Sequence, residues 1–453
     1  MKKVFMFAGS SNCFHVWAEL ANQINSAIDD TVEYYVLCDE GADYANKMPF
    51  DLIKDVSMQP IILAKPNDFA NHYESKVTEE KESAFKKIKR FLRKRFNFFY
   101  IGLQALVRIK KINGQKAEIR ALFKQHKPDA ALFVDGIRMG YELATIKVSR
   151  DMKIPAIFAP FGCFMSPDAA VYFGVKFPRV ETWQQKTFWF KYISRKYSEN
   201  VGHVGDIVIM RYEIPDMIAM AFTGTAPYSP WYPGGNEFDF VGIAEQQAFD
   251  DAKANFDEKH SKKLHMMRSI ERTGVLKTYA EKEKHLQNIR TEYGFGEGTL
   301  TVIAGEAIAE ASYSVGYEEA LKIYKGIVES LRETYDYVLL SLHPRMSRDK
   351  YAMLEEIPGC KIANERLYKI IALADCTVVF VPKFSPILMV EGIPLSVVDI
   401  TIEEFESILT DEGRTSFAKK IAERKDILNR REDAKDVDLP DFYTYVVSVL
   451  KHR

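Results

Sequence analysis

Val338-Leu339-Leu340-Ser341-Leu342-His343-Pro344-Arg345, followed further on by Thr377-Val378-Val379-Phe380-Val381 and then Lys383-Phe384-Ser385-Pro386, decides the fold. Each apolar run has strand length, and each is cut by a polar turn. Ser385 occupies the position of a helix N-cap and Pro386 that of the first helical residue, where a missing N–H costs nothing. A helix starting so near a strand end directs free N–H groups and a positive dipole end toward the edge where parallel sheets bind ligands. Gly392 and Pro394 stop that helix, and Leu395 to Ile400 supplies the next strand. The stretch Tyr337 to Ile400 therefore has the layout of a phosphate-handling site.

Upstream, Leu300 to Ala304 reads as a strand ending at Gly305-Glu306, with a helix from Tyr317 to Glu333 behind it. Four strands near 300, 338, 377 and 395 alternate with helices, which predicts a parallel α/β sheet. The chain's beginning has the same grammar: Val4 to Ala8 is a strand, Gly9 to Asn12 a loop containing Ser10, and Phe14 to Ile28 an amphipathic helix. The glycines do not form G-x-G-x-x-G, so no dinucleotide is implied. Tyr34 to Cys38 and Ile61 to Leu63 continue the strands. Lys127-Pro128-Asp129 leads into the strand Ala130 to Val134, which ends at Asp135-Gly136; a helix from about Tyr141 and the strand Ile154 to Ala159 follow. An apolar helix is expected over 207–222, and short strands over 223–229 and 238–242.

A chain of 453 residues exceeds what one core normally organises. The expected division is an N-terminal domain over 1–242, a helical linker or insertion over 243–298, and a second domain over 299–453 whose last helices lie near 402–424 and 440–451. A net charge of -1 argues against nucleic acid as a partner. Five scattered cysteines without a C-x-x-C pair read as reduced thiols of a cytoplasmic protein. No apolar run has the length of a spanning helix, so any membrane contact is expected to be peripheral, at the inner face.

Residues 81–112 predict a basic amphipathic helix: Phe85, Ile88, Leu92, Phe96, Phe99, Leu103 and Leu106 recur at helical spacing, and Arg93, Lys94 and Arg95 belong to a dense basic cluster. One reading packs the helix on its own domain with a solvated basic face. The other makes it a patch for anionic lipid or an anionic glycan acceptor.

The candidate chemistry lies at strand ends. His343 can donate to a phosphate or base oxygen, and Arg345 adds a permanent cation; the bland reading is a loop histidine. Asp135 ends an apolar strand, where a carboxylate is costly unless it faces a crevice or a partner. Glu142 and Asp168 are the other carboxylates considered. No H-E-x-x-H, no G-x-x-x-x-G-K-[ST] and no Cys/His cluster is present, so metal hydrolysis and P-loop chemistry are not expected.

Ser341-Leu342-His343-Pro344-Arg345, then Ala374-Asp375-Cys376-Thr377-Val378-Val379-Phe380-Val381, the Ser385 loop and Glu391-Gly392-Ile393-Pro394 together resemble the C-terminal half of GT-B enzymes acting on nucleotide-activated sugars. Within that group the pattern is most similar to the bacterial polysialyltransferase-like and glycerophosphotransferase-like enzymes, and it also resembles the non-hydrolysing UDP-N-acetylglucosamine 2-epimerases. The resemblance spans roughly residues 299–400, with a looser match around 128–162. It departs in its single Ser385 and in placing Glu391 directly before Gly392.

The resemblance implies a GT-B fold, two Rossmann-like parallel-sheet domains facing a cleft. His343, Pro344, Arg345, Ser385, Pro386 and Gly305 would bind the donor nucleotide, and Asp135 would be the general base. Ser10, Arg93, Lys94 and Arg95 would lie on the acceptor or membrane side. The implied activity is inverting, metal-independent and cofactor-free transfer of a sugar from a nucleotide-sugar donor to a surface-glycan or lipid-linked acceptor, as in capsule or other polysaccharide biosynthesis. The alternatives are a UDP-sugar 2-epimerase-like enzyme and a non-catalytic protein that binds glycan or nucleotide sugar. Ala159-Pro160-Phe161-Gly162 stands where the epimerases carry an acidic residue, which favours simple transfer.

Overall fold

The computed structural model describes residues 1–9, 13–38, 58–63, 96–134, 136, 139–160, 180, 182–204, 206–232, 234–310, 315–343, 345–380, 389–401, 404, 407–424 and 439–453. The chain forms two compact units, Met1–Ser269 with Pro440–Arg453, and Ile270–Leu439. Each is built on a parallel sheet, as the alternation of strands and helices predicts.

The first unit contains β1 (Lys2–Ala8), β2 (Val32–Cys38), β3 (Met58–Ile62), β4 (Ala130–Phe133), β5 (Ala156–Phe158), an antiparallel hairpin of β6 (Val201–Val204) and β7 (Ile207–Met210), then β8 (Phe240–Ile243) and β9 (Leu264–Met266). All but the hairpin join one parallel sheet in the order β3-β2-β1-β4-β5-β8-β9. Winding starts at β1, moves outward through β2 and β3, and resumes on the other side of β1 with β4. Val4 to Ala8 are all buried, because a strand covered on both faces must be apolar without interruption. The first helix, α1 (Cys13–Asn25), lays Phe14, Trp17, Leu20 and Ile24 on the sheet, and the Trp17 Nε1–H donates to the Phe7 carbonyl at 3.0 Å.

Helix α2 (Asn97–His126) differs from the expected 81–112. Residues 81–95, with Arg93, Lys94 and Arg95, lie outside the described residues, and the helix runs on past Gly114 because Ile112, Gln115, Ile119 and Phe123 continue its buried face. The stripe Phe96, Phe99, Leu103 and Leu106 is exposed, while Ile101 and Ala105 on the opposite face enter the core. Next come α3 (Tyr141–Asp151), α4 (Phe188–Lys196) and α5 (Ile214–Thr223). The apolar run 207–222 is thus not one helix. Ile207-Val208-Ile209-Met210 pairs with β6, and α5 begins with Pro215 in its first turn, where the absent N–H is tolerated. Gly224, at φ 69°, closes α5, so 223–229 starts helical and continues irregularly rather than as a strand.

Residues 243–298 are shared between the units rather than standing apart. Helix α6 (Gln246–Asn255) and β9 belong to the first, whereas α7 (Ile270–Ala280) and α8 (Lys282–Tyr293) belong to the second. The second unit continues with β10 (Leu300–Ala304), α9 (Tyr317–Arg332), β11 (Tyr337–Ser341), β12 (Cys360–Ile362), β13 (Cys376–Phe380), β14 (Ser396–Ile400) and α10 (Asp411–Arg424). Strand β12, absent from the sequence reading, pairs with β11 at the edge.

The last helix, α11 (Phe442–Lys451), belongs to the first unit, not to the second domain expected over 299–453. The Arg268 guanidinium meets the Asp441 carboxylate at 2.6 Å, Tyr445 stacks on Phe240 with ring centroids 3.6 Å apart, and Phe442 is buried. Emptying the Phe442 site should therefore destabilise the first unit although it lies at the far end of the chain. Phe442→Ala is expected to cost ~3–5 kcal/mol, the range of a large aromatic deleted from a core. All four tryptophans (Trp17, Trp183, Trp189, Trp231) lie in the first unit, so denaturant unfolding followed by their fluorescence reads it directly. An unchanged midpoint would mean that α11 adds nothing to that core.

Candidate functional site

The second sheet has the order β12-β11-β10-β13-β14, all parallel. Its winding reverses between β10 and β13, and at such a reversal the loops leaving two neighbouring strands diverge and open a crevice at the strand ends. The loops after β11, β10 and β13 therefore emerge side by side. They carry, in that order, the His343 turn, Gly305-Glu306, and the segment with Ser385 and Pro386, which lies outside the described residues together with Pro344.

Register brings the first two loops into backbone contact. Ala304 pairs with Ser341, and the Gly305 N–H donates to the Ser341 carbonyl at 2.8 Å. A Cβ on Gly305 would lie 2.6 Å from that oxygen and 3.4 Å from the His343 nitrogen, so the site admits only glycine without displacement of backbone. The His343 carbonyl accepts from the Met346 N–H at 2.8 Å, closing the turn. Its Nδ1 accepts from the Arg345 N–H at 3.2 Å, which in the neutral ring leaves the proton on Nε2 as the donor. Arg345 is exposed, and its guanidinium makes no ion pair among the described residues. Arg348, by contrast, is committed to Asn364 at 2.7 Å and Glu355 at 2.9 Å, so its role is to hold its own loop.

Two groups that sequence reasoning did not single out support this edge. The Tyr324 hydroxyl, from α9, accepts from the Glu306 N–H at 2.7 Å and donates to the Glu306 carbonyl at 2.6 Å. Complete burial holds its pKa well above the usual phenol value, so that proton is permanent. The same ring packs on Phe380, the last residue of β13, with centroids 5.8 Å apart. One tyrosine thus fixes the loop after β10 against the end of β13. Buried Arg272, from α7, donates to the Met389 carbonyl at 2.5 Å and to the Glu391 carbonyl. It anchors the chain directly following the Ser385 segment.

In the first unit the reversal falls between β1 and β4. Ser10, after β1, and Asp135, after β4, lie outside the described residues, as does Asp168. Gly136 is described, and its peptide groups are held on both sides. Its N–H donates to the Glu142 carboxylate at 2.8 Å, and its carbonyl accepts from the Asn236 amide at 3.1 Å. Its φ is 75°, and a Cβ would meet the Phe238 ring at 2.8 Å. Glu142 is fully buried, which suits a carboxylate that positions this turn and does not suit a proton acceptor open to substrate. Among the described residues no group of three or more His, Cys, Asp or Glu side chains could hold a metal ion.

No known protein family matches the sequence, and no curated protein is detectably similar to it. The fold is similar to that of a UDP-GlcNAc 2-epimerase from Neisseria meningitidis bound to UDP-GlcNAc, at 10% identity over 100% of both chains and a TM-score of 0.49. It is similar also to MurG from Acinetobacter baumannii, at 11% identity over 100% of both chains with a TM-score of 0.39. A third is UGT2 from Phytolacca americana, complexed with UDP-2fluoro-glucose and pterostilbene, at 10% identity over 100% of this chain and 94% of the other with a TM-score of 0.44. Likenesses this distant decide no activity.

If Tyr324 fixes the loop, removing only its oxygen should loosen it. Tyr324→Phe would remove the hydroxyl that accepts from the Glu306 N–H, while the Glu306 carbonyl keeps the Ile308 N–H, at a cost of about 1–3 kcal/mol in stability. Nucleotide affinity, measured by calorimetry with a panel of nucleoside mono- and diphosphates, should fall in the same variant. Lost stability with unchanged affinity would place the ligand elsewhere.

Proposed function

We propose that the protein is a glycosyltransferase of GT-B organisation that moves a sugar, with inversion, from a nucleotide-activated donor to a surface-glycan or lipid-linked acceptor. The observation carrying this reading is the contact of the His343-Arg345 turn with Gly305 beside the winding reversal of the second sheet. That turn carries an imidazole and an exposed guanidinium, the kinds of group that would suit a donor phosphate at this sheet edge. Two successive Rossmann-like units and the His-Pro-Arg pattern support it.

In the reaction the acceptor hydroxyl oxygen attacks the anomeric carbon while the bond from that carbon to the phosphate oxygen breaks. The nucleotide leaves with the bonding pair, and the acceptor's proton passes to Asp135. His343 and Arg345 stabilise the charge that develops on the leaving phosphate. Glu142 keeps the turn after Asp135 in one conformation through Gly136.

A panel of nucleotide sugars incubated with and without acceptor glycans tests the reading. Interconversion of UDP-sugars without acceptor would favour epimerase chemistry, and binding without turnover of any donor would make the protein a non-catalytic binder. His343→Ala is expected to weaken nucleotide binding while the protein stays folded, since this partly exposed turn residue leaves no large cavity. Asp135→Asn keeps the shape but cannot take the proton, so turnover should fall by about 10²–10⁴-fold with donor affinity nearly unchanged. Near-normal turnover in that variant would remove Asp135 from the role.

A further inference from the structure

Helix α2 has two apolar faces. One enters the core through Ile101, Ala105, Ile112, Ile119 and Phe123. The opposite one, over its first turns, presents Phe99 at 73% exposure, Leu103 at 65%, Leu106 at 62% and Val107 at 64%, with Phe96 just ahead of them. A helix apolar all round normally has both faces covered. Rotation cannot hide this one, because Arg108 pairs with Glu213 at 3.0 Å and Asp216 at 2.9 Å beside α5, and the Lys116 ammonium donates to the Thr223 carbonyl at 2.9 Å.

Helix α4 extends the surface. Phe98 stacks on Trp189 at 5.1 Å between ring centroids and meets Phe188 edge-on at 5.7 Å, while the Trp189 Nε1–H donates to the Phe98 carbonyl. Phe190 and Ile193 of α4 are buried, leaving Phe188, Lys191, Arg195 and Lys196 exposed along its other side. The two helices contribute cations that no acid of their own offsets. Residues 97–117 and 182–198 contain no Asp or Glu, but they contain Lys110, Lys111 and Lys116 in the first and Lys186, Lys191, Arg195 and Lys196 in the second, whereas Arg108 is paired with Glu213 and Asp216.

We propose that this face of the first unit is a membrane-docking surface that inserts Phe99, Leu103 and Leu106 between the headgroups of an anionic bilayer, with the α4 cations on its phosphates. Aromatic and aliphatic side chains on and beside helix segments that carry lysine and arginine but no acid match an anionic interface. A protein partner covering an apolar stripe has no need of that charge bias. The inference is independent of the transferase reading, since it concerns adsorption and not turnover, and it places the protein where a lipid-linked acceptor would be.

Co-sedimentation of the full chain with phosphatidylcholine vesicles, with and without phosphatidylglycerol, tests it. Wild type should bind the anionic vesicles and bind pure phosphatidylcholine weakly. Phe99→Ser/Leu103→Ser/Leu106→Ser should lower the partition coefficient roughly a hundredfold, and Lys191→Glu/Arg195→Glu at least about tenfold, both with unchanged tryptophan-monitored stability. Binding by the serine variant equal to wild type would overturn the insertion, as would wild type remaining in the supernatant at every composition. A concentration-dependent dimer in sedimentation velocity, abolished by the serine variant, would assign the stripe to a second copy of the chain and overturn the proposal as well. A destabilised serine variant would be replaced by Phe99→Ser alone, judged against the same outcomes.

Discussion

Two peptide backbones meet at the end of the β10–β11 pair, and the rest of the candidate site depends on that approach. The register sets Ala304 opposite Ser341, so the next residue on β10 must pass within van der Waals reach of the carbonyl at the end of β11. Any side chain there would push the His343 turn outward, and Gly305 has none. Once the two loops touch, a single hydroxyl can serve the third strand too. Tyr324 reaches Glu306 through its oxygen and Phe380 through its ring, so three strand ends form one rigid edge.

The first unit solves a similar problem with different groups. Its reversal between β1 and β4 is followed by a turn at Gly136, where a buried carboxylate and a buried amide, neither of which belongs to the turn itself, grip one residue from both sides. Burying a carboxylate is costly unless it is hydrogen-bonded, and Gly136 supplies one of those bonds to Glu142. The base role proposed for Asp135 would draw on that hold at the next residue, because proton transfer tolerates little misplacement.

The parallel sheets and the strand-end positions of His343 and Gly305 were legible in the sequence, since Val4 to Ala8, Leu300 to Ala304 and Val338 to Leu342 are predominantly apolar runs cut by glycine or His-Pro. Strands β9 and β12 were not, because three residues cannot show a period. Nor could the sequence show Arg272 or Asn236. Their partners lie 117 and 100 residues away, and a lone arginine or asparagine looks the same whether it caps a carbonyl or faces water. The boundary between the units falls elsewhere than expected for a related reason. Charged helices after 243 read as a linker, although β9 completes the first sheet and the chain returns to it at 440.

Helix α2 shows where hydrophobic periodicity is ambiguous in principle. Phe96, Phe99, Leu103 and Leu106 recur at the spacing of a core face, and so do Ile101, Ala105, Ile112 and Ile119; both sets fit a period of 3.6, but only the second enters the core. Shape and charge break the tie. The inward set has no aromatic ring before Phe123, and beyond Gly114 it continues alone, so the helix stays buried on that side along its length. The outward set is bulky, stops within three turns and is followed by Lys110 and Lys111. A stripe that ends where lysines begin cannot be extended by burial in this chain's core. It is a bounded apolar surface with a cationic edge, and that boundary is the observation on which the docking proposal rests.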